Sequence, residues 1–345
     1  MSLRILIVKL SSLGDVVHAM PAVQDLLAAQ PDARVDWVVE SAFVPLVERC
    51  KGVGRVIACD LRRWRKTPLS ASTRRDWAVF KAALKQHHYD LVIDLQGLSK
   101  SALVSWLART SPEGRRVAMA NQTDGSGYEA PTRWVADQAV RLEPHVHAVQ
   151  RGRLLCAAAL GYTVTGPARF GLQAQDKTAI PPQLPGQDTN PFVPRKPMVA
   201  LVHGTSRADK QWPQDDWVAL GQRLNHSGFS VVLPHGNVQE RATSEAIAAA
   251  LDDARVWPAM GLDALIDTMA RCAGVVGVDS GLSHIAVALG LPHVQIYNFD
   301  TAWRTGPLAD CLQAEKQVSV FASPYPDLEA VWQAWESLDT PVLSR

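Results

Sequence analysis

The chain has 345 residues, which at roughly 150 residues per domain makes about two domains. Its 47% hydrophobic content and ordinary Gly and Pro counts (22 each) supply packed cores and exclude a disordered, collagenous or low-complexity chain. The 35 basic and 34 acidic residues leave a net charge of +1, which excludes a generic nucleic-acid binder resting on a basic excess.

Residues 4–10 (RILIVKL) read as a strand, and a helical pattern follows Asp15. Pro21 either kinks that helix or restarts it, since Pro is tolerated only in a first turn. Further strands are predicted at 35–39, 55–58, 91–95 and 116–119, with helices between them, for example 77–87 and 101–109. The proline-rich run 180–197 forbids regular structure and reads as a linker. Strands resume at 198–203, 229–234, 254–257, 274–278 and 293–297, with helices at 215–224, 240–251, 262–272 and 282–289. Finally, Leu328, Val331, Trp332, Trp335 and Leu338 form one apolar helical face.

Alternating strands and helices predict an α/β protein of two facing, Rossmann-like, doubly wound domains. The expected division is residues 1–179, the linker 180–197, residues 198–323, and a closing helix within 324–345 that packs back toward the N-terminal domain. Ligands of such sheets bind beyond the carboxyl ends of the strands, here expected in the interdomain cleft.

The five cysteines include no C-x-x-C pair and fit reduced, buried thiols of a cytoplasmic protein. The first apolar run meets Lys9 and is too short for a signal-peptide core. The charge-free stretch between Asp279 and Asp300 contains His284, Pro292, His293, Gln295 and Asn298 and reads as helix, turn and strand, not a membrane span. A soluble protein able to sit on a membrane surface is expected.

Five places carry candidate chemistry. Strand one ends in Lys9-Leu10-Ser11-Ser12-Leu13-Gly14-Asp15; Asp15 is either an ordinary helix cap or a general base in the ligand crevice. The loop from His203 to Pro213 holds Thr205, Ser206 and Lys210, which suit phosphate oxygens or are simply solvated. Asp279-Ser280-Gly281 follows a buried strand, where free N–H groups at a helix start make an anion site, with His284 one turn in. Glu240 is placed either for ribose hydroxyls or as a first-turn acid favoured by the helix dipole. The basic run Arg62-Arg63-Trp64-Arg65-Lys66, followed by Arg74 and Arg75, and Lys100 after another strand end, suit carboxylates, phosphates or a sugar face, or form a solvated charge run. No D-x-D, H-E-x-x-H, Cys/His cluster, Walker A, G-x-G-x-x-G or G-x-S-x-G pattern is present, so neither a metal nor a cofactor is expected.

Together these segments resemble the type I lipopolysaccharide heptosyltransferases of glycosyltransferase family nine. The resemblance rests on ILIVKLSSLGDVVHAMPA at 5–22, the R-R-W-R-K run, D-L-Q-G-L-x-K-S-A at 94–102, H-A-V-Q-R at 147–151, H-G-T-S-R-A-D-K-Q-W-P and D-S-G-L-S-H. It implies a GT-B arrangement and an inverting transfer of L-glycero-D-manno-heptose from ADP-heptose to the inner Kdo of Kdo2-lipid A. It also implies peripheral contact with the cytoplasmic face of the inner membrane. By this match Asp15 is the base, and Lys210, Thr205 and Ser206 bind the diphosphate. Asp279, Ser280, Gly281 and His284 hold the donor, Glu240 takes the ribose and Met260 lines the adenine. Ser12, Gly14, Arg62, Arg63, Arg65, Lys66 and Lys100 meet the acceptor. The run Tyr297 to Trp303 departs from the family pattern, so no donor contact is carried over there. A nucleotide-sugar epimerase of similar layout and a non-catalytic lipopolysaccharide-binding relative are the alternatives.

The charge is unevenly divided: residues 1–170 carry +8 and residues 171–345 carry −7. A basic acceptor half and an acidic donor half are therefore expected, with the basic half facing an anionic glycolipid.

Overall fold

A computed structural model describes residues 2–175 and 196–338. They fall into two compact units, residues 1–173 and 174–345. Most of the proline-rich run, residues 180–195, lies outside the described residues.

The first unit runs β1 (Arg4–Val8), α1 (Leu13–Ala29), β2 (Arg34–Glu40), α2 (Val44–Val47), β3 (Val53–Cys59), α3 (Leu61–Lys66), α4 (Ala71–Leu84), β4 (Tyr89–Asp94), α5 (Ser99–Leu107), β5 (Thr110–Met119), α6 (Pro131–Val135), β6 (Gln138–Val140) and α7 (Ala148–Leu160). The six strands are parallel in the order β3-β2-β1-β4-β5-β6. Ile5, Leu6, Ile7 and Val8 are wholly buried because helices cover both faces of the sheet. On one face Leu6, Val8 and Leu10 meet Trp64, Phe80, Leu84 and Val104 of α3, α4 and α5. Away from that layer, α1 and α7 pack on each other.

Pro21 neither ends nor restarts α1, which is one helix of 17 residues with the proline buried inside it. Packing against α7 outweighs the lost backbone bond, as tertiary contacts supply most helix stability. Sequence periodicity missed β6 and α6, which are too short to show a period, and α3, whose charges hide the buried Trp64.

The second unit runs β7 (Met198–Val202), α8 (Gln214–His226), β8 (Ser230–Leu233), α9 (Val238–Ala249), β9 (Ala254–Val256), α10 (Leu262–Met269), β10 (Gly274–Val278), α11 (Gly281–Ala288), β11 (His293–Tyr297), α12 (Ala302–Thr305), β12 (Gln317–Phe321) and α13 (Leu328–Glu336). Its sheet is again parallel, in the order β12-β11-β10-β7-β8-β9.

The apolar face of the C-terminal helix is spent inside the second unit. Val331, Trp335 and Leu338 are buried in the core of the second unit, with Val294, Ile296 and Phe229. Trp335 meets Phe229 edge to face at 5.7 Å. It lies so close to Gly274 that a Cβ there would sit 2.6 Å from its ring. Periodicity identified the apolar face of α13 but carried no information about what covers it. Val331→Ala is expected to lower stability by about 2 kcal/mol, measured by urea denaturation, because it empties a fully buried site.

Each strand order reverses once, between β1 and β4 in the first unit and between β7 and β10 in the second. Loops leaving those strands diverge and open a crevice at their carboxyl ends. The loop after β1 carries Asp15 and the loop after β4 leads to Lys100; the loop after β7 carries Lys210 and the turn after β10 carries Asp279.

Candidate active site

In the first unit Ser12 caps α1 and Asp15 stands at its third position. Asp15 Oδ2 accepts from the Ser12 N–H at 3.1 Å and from the Ser12 hydroxyl at 2.8 Å. Its Oδ1 lies 3.6 Å from Lys9 Nζ and 3.9 Å from Arg151 Nη2. Burial by itself would raise the Asp15 carboxyl, but Lys9, the two Ser12 bonds and His18 together hold it well below the usual carboxylate range. The side chain remains 38% exposed, so it is both ionised and reachable. Lys100 Nζ donates to Ser11 Oγ at 2.7 Å, which brings it to the same loop. Gly14 lies between Ser12 and Asp15 in the first turn of α1.

Sequence reasoning had not assigned Lys9, Arg151 or Asp94 a role. The signal for Lys9 was a lysine inside an apolar strand; it is buried and donates to the Leu95 carbonyl at 3.3 Å. Burial lowers its pKa. Asp94 accepts from the N–H groups of Gln96 and Gly97 and from Ser101 Oγ, and so shapes the turn that carries Lys100. Burial pushes the Asp94 carboxyl up to about 6 despite those bonds. A raised folded-state value means that its stabilising contribution is complete below the unfolded value and is lost as pH rises through about 6. Asp94→Asn is therefore expected to gain about 3 kcal/mol on the wild type between pH 4 and pH 7, read from urea melts at both pH values.

The exposed helix α3 carries Arg62, Arg63, Arg65 and Lys66. Arg63 is engaged by Asp60 at 3.0 Å and Asp76 at 2.7 Å. Trp64 instead turns inward, edge to face with Trp77 at 5.4 Å, and anchors α3 to α4. The interleaved tryptophan thus fixes the element and presents the four cations outward.

In the second unit, Lys210 Nζ is paired with Asp279 Oδ2, and His284 Nε2 lies 3.4 Å from Asp279 Oδ1. Burial opposes ionisation of Asp279, but His284 and Lys210 hold its carboxyl well below the usual range. Ser280 caps α11 and Gly281 opens it, leaving the first-turn N–H groups as donors for an anion. Thr205 and Ser206 lie on the loop between β7 and Lys210, half-buried and exposed respectively.

Two contacts shape that loop. Trp212 Nε1 donates to the Pro326 carbonyl at 2.7 Å, and Asn298 Nδ2 donates to the carbonyls of Asp209 at 3.2 Å and Gln211 at 2.8 Å. Asn298 belongs to the run Tyr297 to Trp303, where the sequence reading carries over no donor contact. It clasps the backbone on both sides of Lys210.

Glu240, in the first turn of α9, accepts from the Gly236 N–H at 2.7 Å. A Cβ at Gly204 would come within 2.8 Å of the Glu240 carboxyl carbon, so a larger residue there would push the carboxylate aside. A cavity of about 340 Å³ beside Glu240 is lined by His203, Gln211, Trp217, Gln239 and Tyr325, among others. Met260 is part-exposed in the loop after β9 and is not among the residues lining that cavity. Among the described residues no group of three His, Cys, Asp or Glu side chains gathers as a metal site would require.

Residues 77–330 match the glycosyltransferase family 9 (heptosyltransferase) description. The chain belongs to glycosyltransferase family 9. This family 9 enzyme is 36% identical to lipopolysaccharide heptosyltransferase 1 of Pseudomonas aeruginosa over 295 residues, 86% of this chain and 78% of the relative. Its fold matches Escherichia coli heptosyltransferase WaaC solved with ADP, with a TM-score of 0.83 and 30% identity, over 97% of this chain and 99% of that one. The same E. coli enzyme solved with ADP-2-deoxy-2-fluoro heptose gives 0.77 and 32% over the same shares. Asp15 lies before the matched family segment, whereas Lys210, Glu240 and Asp279 lie within it.

Proposed function

We propose that this glycosyltransferase moves L-glycero-D-manno-heptose from ADP-heptose to the inner Kdo of Kdo2-lipid A, with inversion, in lipopolysaccharide core assembly. The observation that carries the reading is the charge arrangement at the two switch points: an ionised, accessible carboxylate after β1, and a lysine beside a helix N-terminus after β7 and β10. The first suits proton removal and the second suits a diphosphate leaving group.

In this mechanism the acceptor hydroxyl oxygen attacks the anomeric carbon of the donor as the bond from that carbon to the diphosphate oxygen breaks. The hydroxyl proton passes to Asp15, and the electron pair leaves with ADP. Lys210 and the first N–H groups of α11 stabilise the charge growing on the diphosphate. Thr205 and Ser206 add hydroxyl donors, Asp279 and His284 orient Lys210 and the donor, and Glu240 receives the ribose. Met260 contributes apolar surface toward the base.

Ser12, Gly14, Arg62, Arg63, Arg65, Lys66 and Lys100 take the acid and phosphate groups of the acceptor. Residues 1–179 then form the acceptor half and residues 198–323 the donor half. The basic half supports peripheral attachment at the cytoplasmic face of the inner membrane. Among the described residues no helix is long and apolar enough to cross one.

The test is ADP release from ADP-heptose with and without Kdo2-lipid A. ADP formed only with the acceptor, together with a product one heptose heavier, is the expected result. An altered sugar from donor alone would instead mark an epimerase, and no ADP with both substrates would remove the assignment.

A further inference from the structure

One face of the first sheet is covered by α3, α4 and α5, with α6 packed beside α5. The outer side of this helical layer stands apart from the rest of the unit in charge. The four helices carry nine Lys or Arg and one acid, Asp76, which Arg63 engages at 2.7 Å. By contrast, α1 and α7 carry two acids and two arginines, and both arginines, Arg151 and Arg153, are buried.

Apolar exposure singles out the same layer independently. Six large hydrophobic residues are exposed among the described residues of the first unit, and five of them lie here. They are Leu69 at the α3–α4 turn (84% exposed), Val79 on α4, Leu103 and Trp106 (63%) on α5, and Trp134 (78%) on α6. Helix α4 already buries Thr73, Phe80 and Leu84 inward. It presents a second row outward, Arg75, Ala78, Val79 and Ala82, all exposed at i, i+3, i+4 and i+7.

We propose that this layer is a docking surface for the anionic phospholipid of a bilayer. Trp106 and Trp134 seat at headgroup level, where an amphipathic ring gains from both phases. Leu69 and Val79 enter the acyl boundary, and Arg74, Arg75 and Arg133 meet lipid phosphates. A bilayer accounts for both features at once, since it offers a negative surface over apolar material. The proposal rests on the peripheral membrane attachment put forward above and names the element that makes it.

The experiment floats the full-length protein with vesicles of phosphatidylcholine, with or without phosphatidylglycerol, and without glycolipid acceptor. The wild type is expected to bind only vesicles containing phosphatidylglycerol. The pair Arg74→Gln and Arg75→Gln should weaken partitioning by about 25-fold, at about fivefold per cation. The pair Trp106→Ser and Trp134→Ser should weaken it by about tenfold. Either pair binding as the wild type does, or equal binding to neutral vesicles, would overturn the proposal. So would a dimer, seen by light scattering, that the same substitutions dissolve, since a second copy's acidic half is the competing occupant. Turnover on a deacylated, water-soluble acceptor separates the two readings. Both pairs should retain it, and its loss in them would also count against a docking role. Its absence in the wild type would strike the proposed transfer while leaving the vesicle result standing.

Discussion

Asp15→Asn is expected to lower kcat by about a thousandfold or more while donor affinity stays within about twofold. The asparagine keeps the size of the side chain and an oxygen that accepts from Ser12, so the cap on α1 survives. It cannot take a proton. Asp15→Ala would also lose the cap, at about 1 kcal/mol, and would leave Lys9 without its 3.6 Å partner. The isosteric variant therefore separates chemistry from structure. A carboxylate held this low is a weak base for a free alcohol, but the acceptor oxygen becomes acidic as its bond to the anomeric carbon forms. Proton transfer late in the displacement then needs only a positioned, ionised carboxylate. Because the folded value is depressed, Asp15 stabilises the native state above the ordinary carboxylate value and loses that contribution only as pH falls well below it. A kcat–pH profile should accordingly show no acid limb from Asp15 near pH 4. Asp15→Asn retaining a tenth of wild-type turnover would remove it as the base.

Lys210→Ala should lower kcat by about a hundredfold and weaken ADP-heptose binding by about tenfold. The lysine has two separable duties, since it neutralises the buried Asp279 and presents a cation beside the α11 N-terminus. Removing it leaves Asp279 without its lysine partner, and the stability Asp279 contributes above its ordinary value shrinks. The double variant Lys210→Ala with Asp279→Asn separates these duties. If Lys210 only neutralises Asp279, the double variant regains activity. If it acts on the diphosphate, the double variant stays as slow as the single one, and isothermal titration with ADP reads the same loss. Full recovery would exclude a direct role.

Much of the candidate site was legible because doubly wound sheets place ligands where the strand order reverses. Asp15 and Lys210 follow the first strand of each unit, and Asp279 follows β10, so a strand reading alone put them in the crevices. Their partners were not legible. Arg151 reaches Asp15 from α7, 136 positions along the chain, and Asn298 holds the Lys210 loop from 88 positions further along the chain. Met260 was placed by resemblance alone, and its partial exposure adds no contact to that assignment.

By itself the sequence determined the fold class, the family and the opposed charges of the two halves, because these follow from local periodicity, short motifs and composition. Only the tertiary structure decided where apolar faces go and which charges meet. The row on α13 is spent in the second unit's core, whereas the outer row on α4 is left exposed among cations. Both are apolar patterns at helical spacing, and periodicity cannot tell them apart. What separates them is whether another element covers the face, a long-range contact that no local pattern encodes.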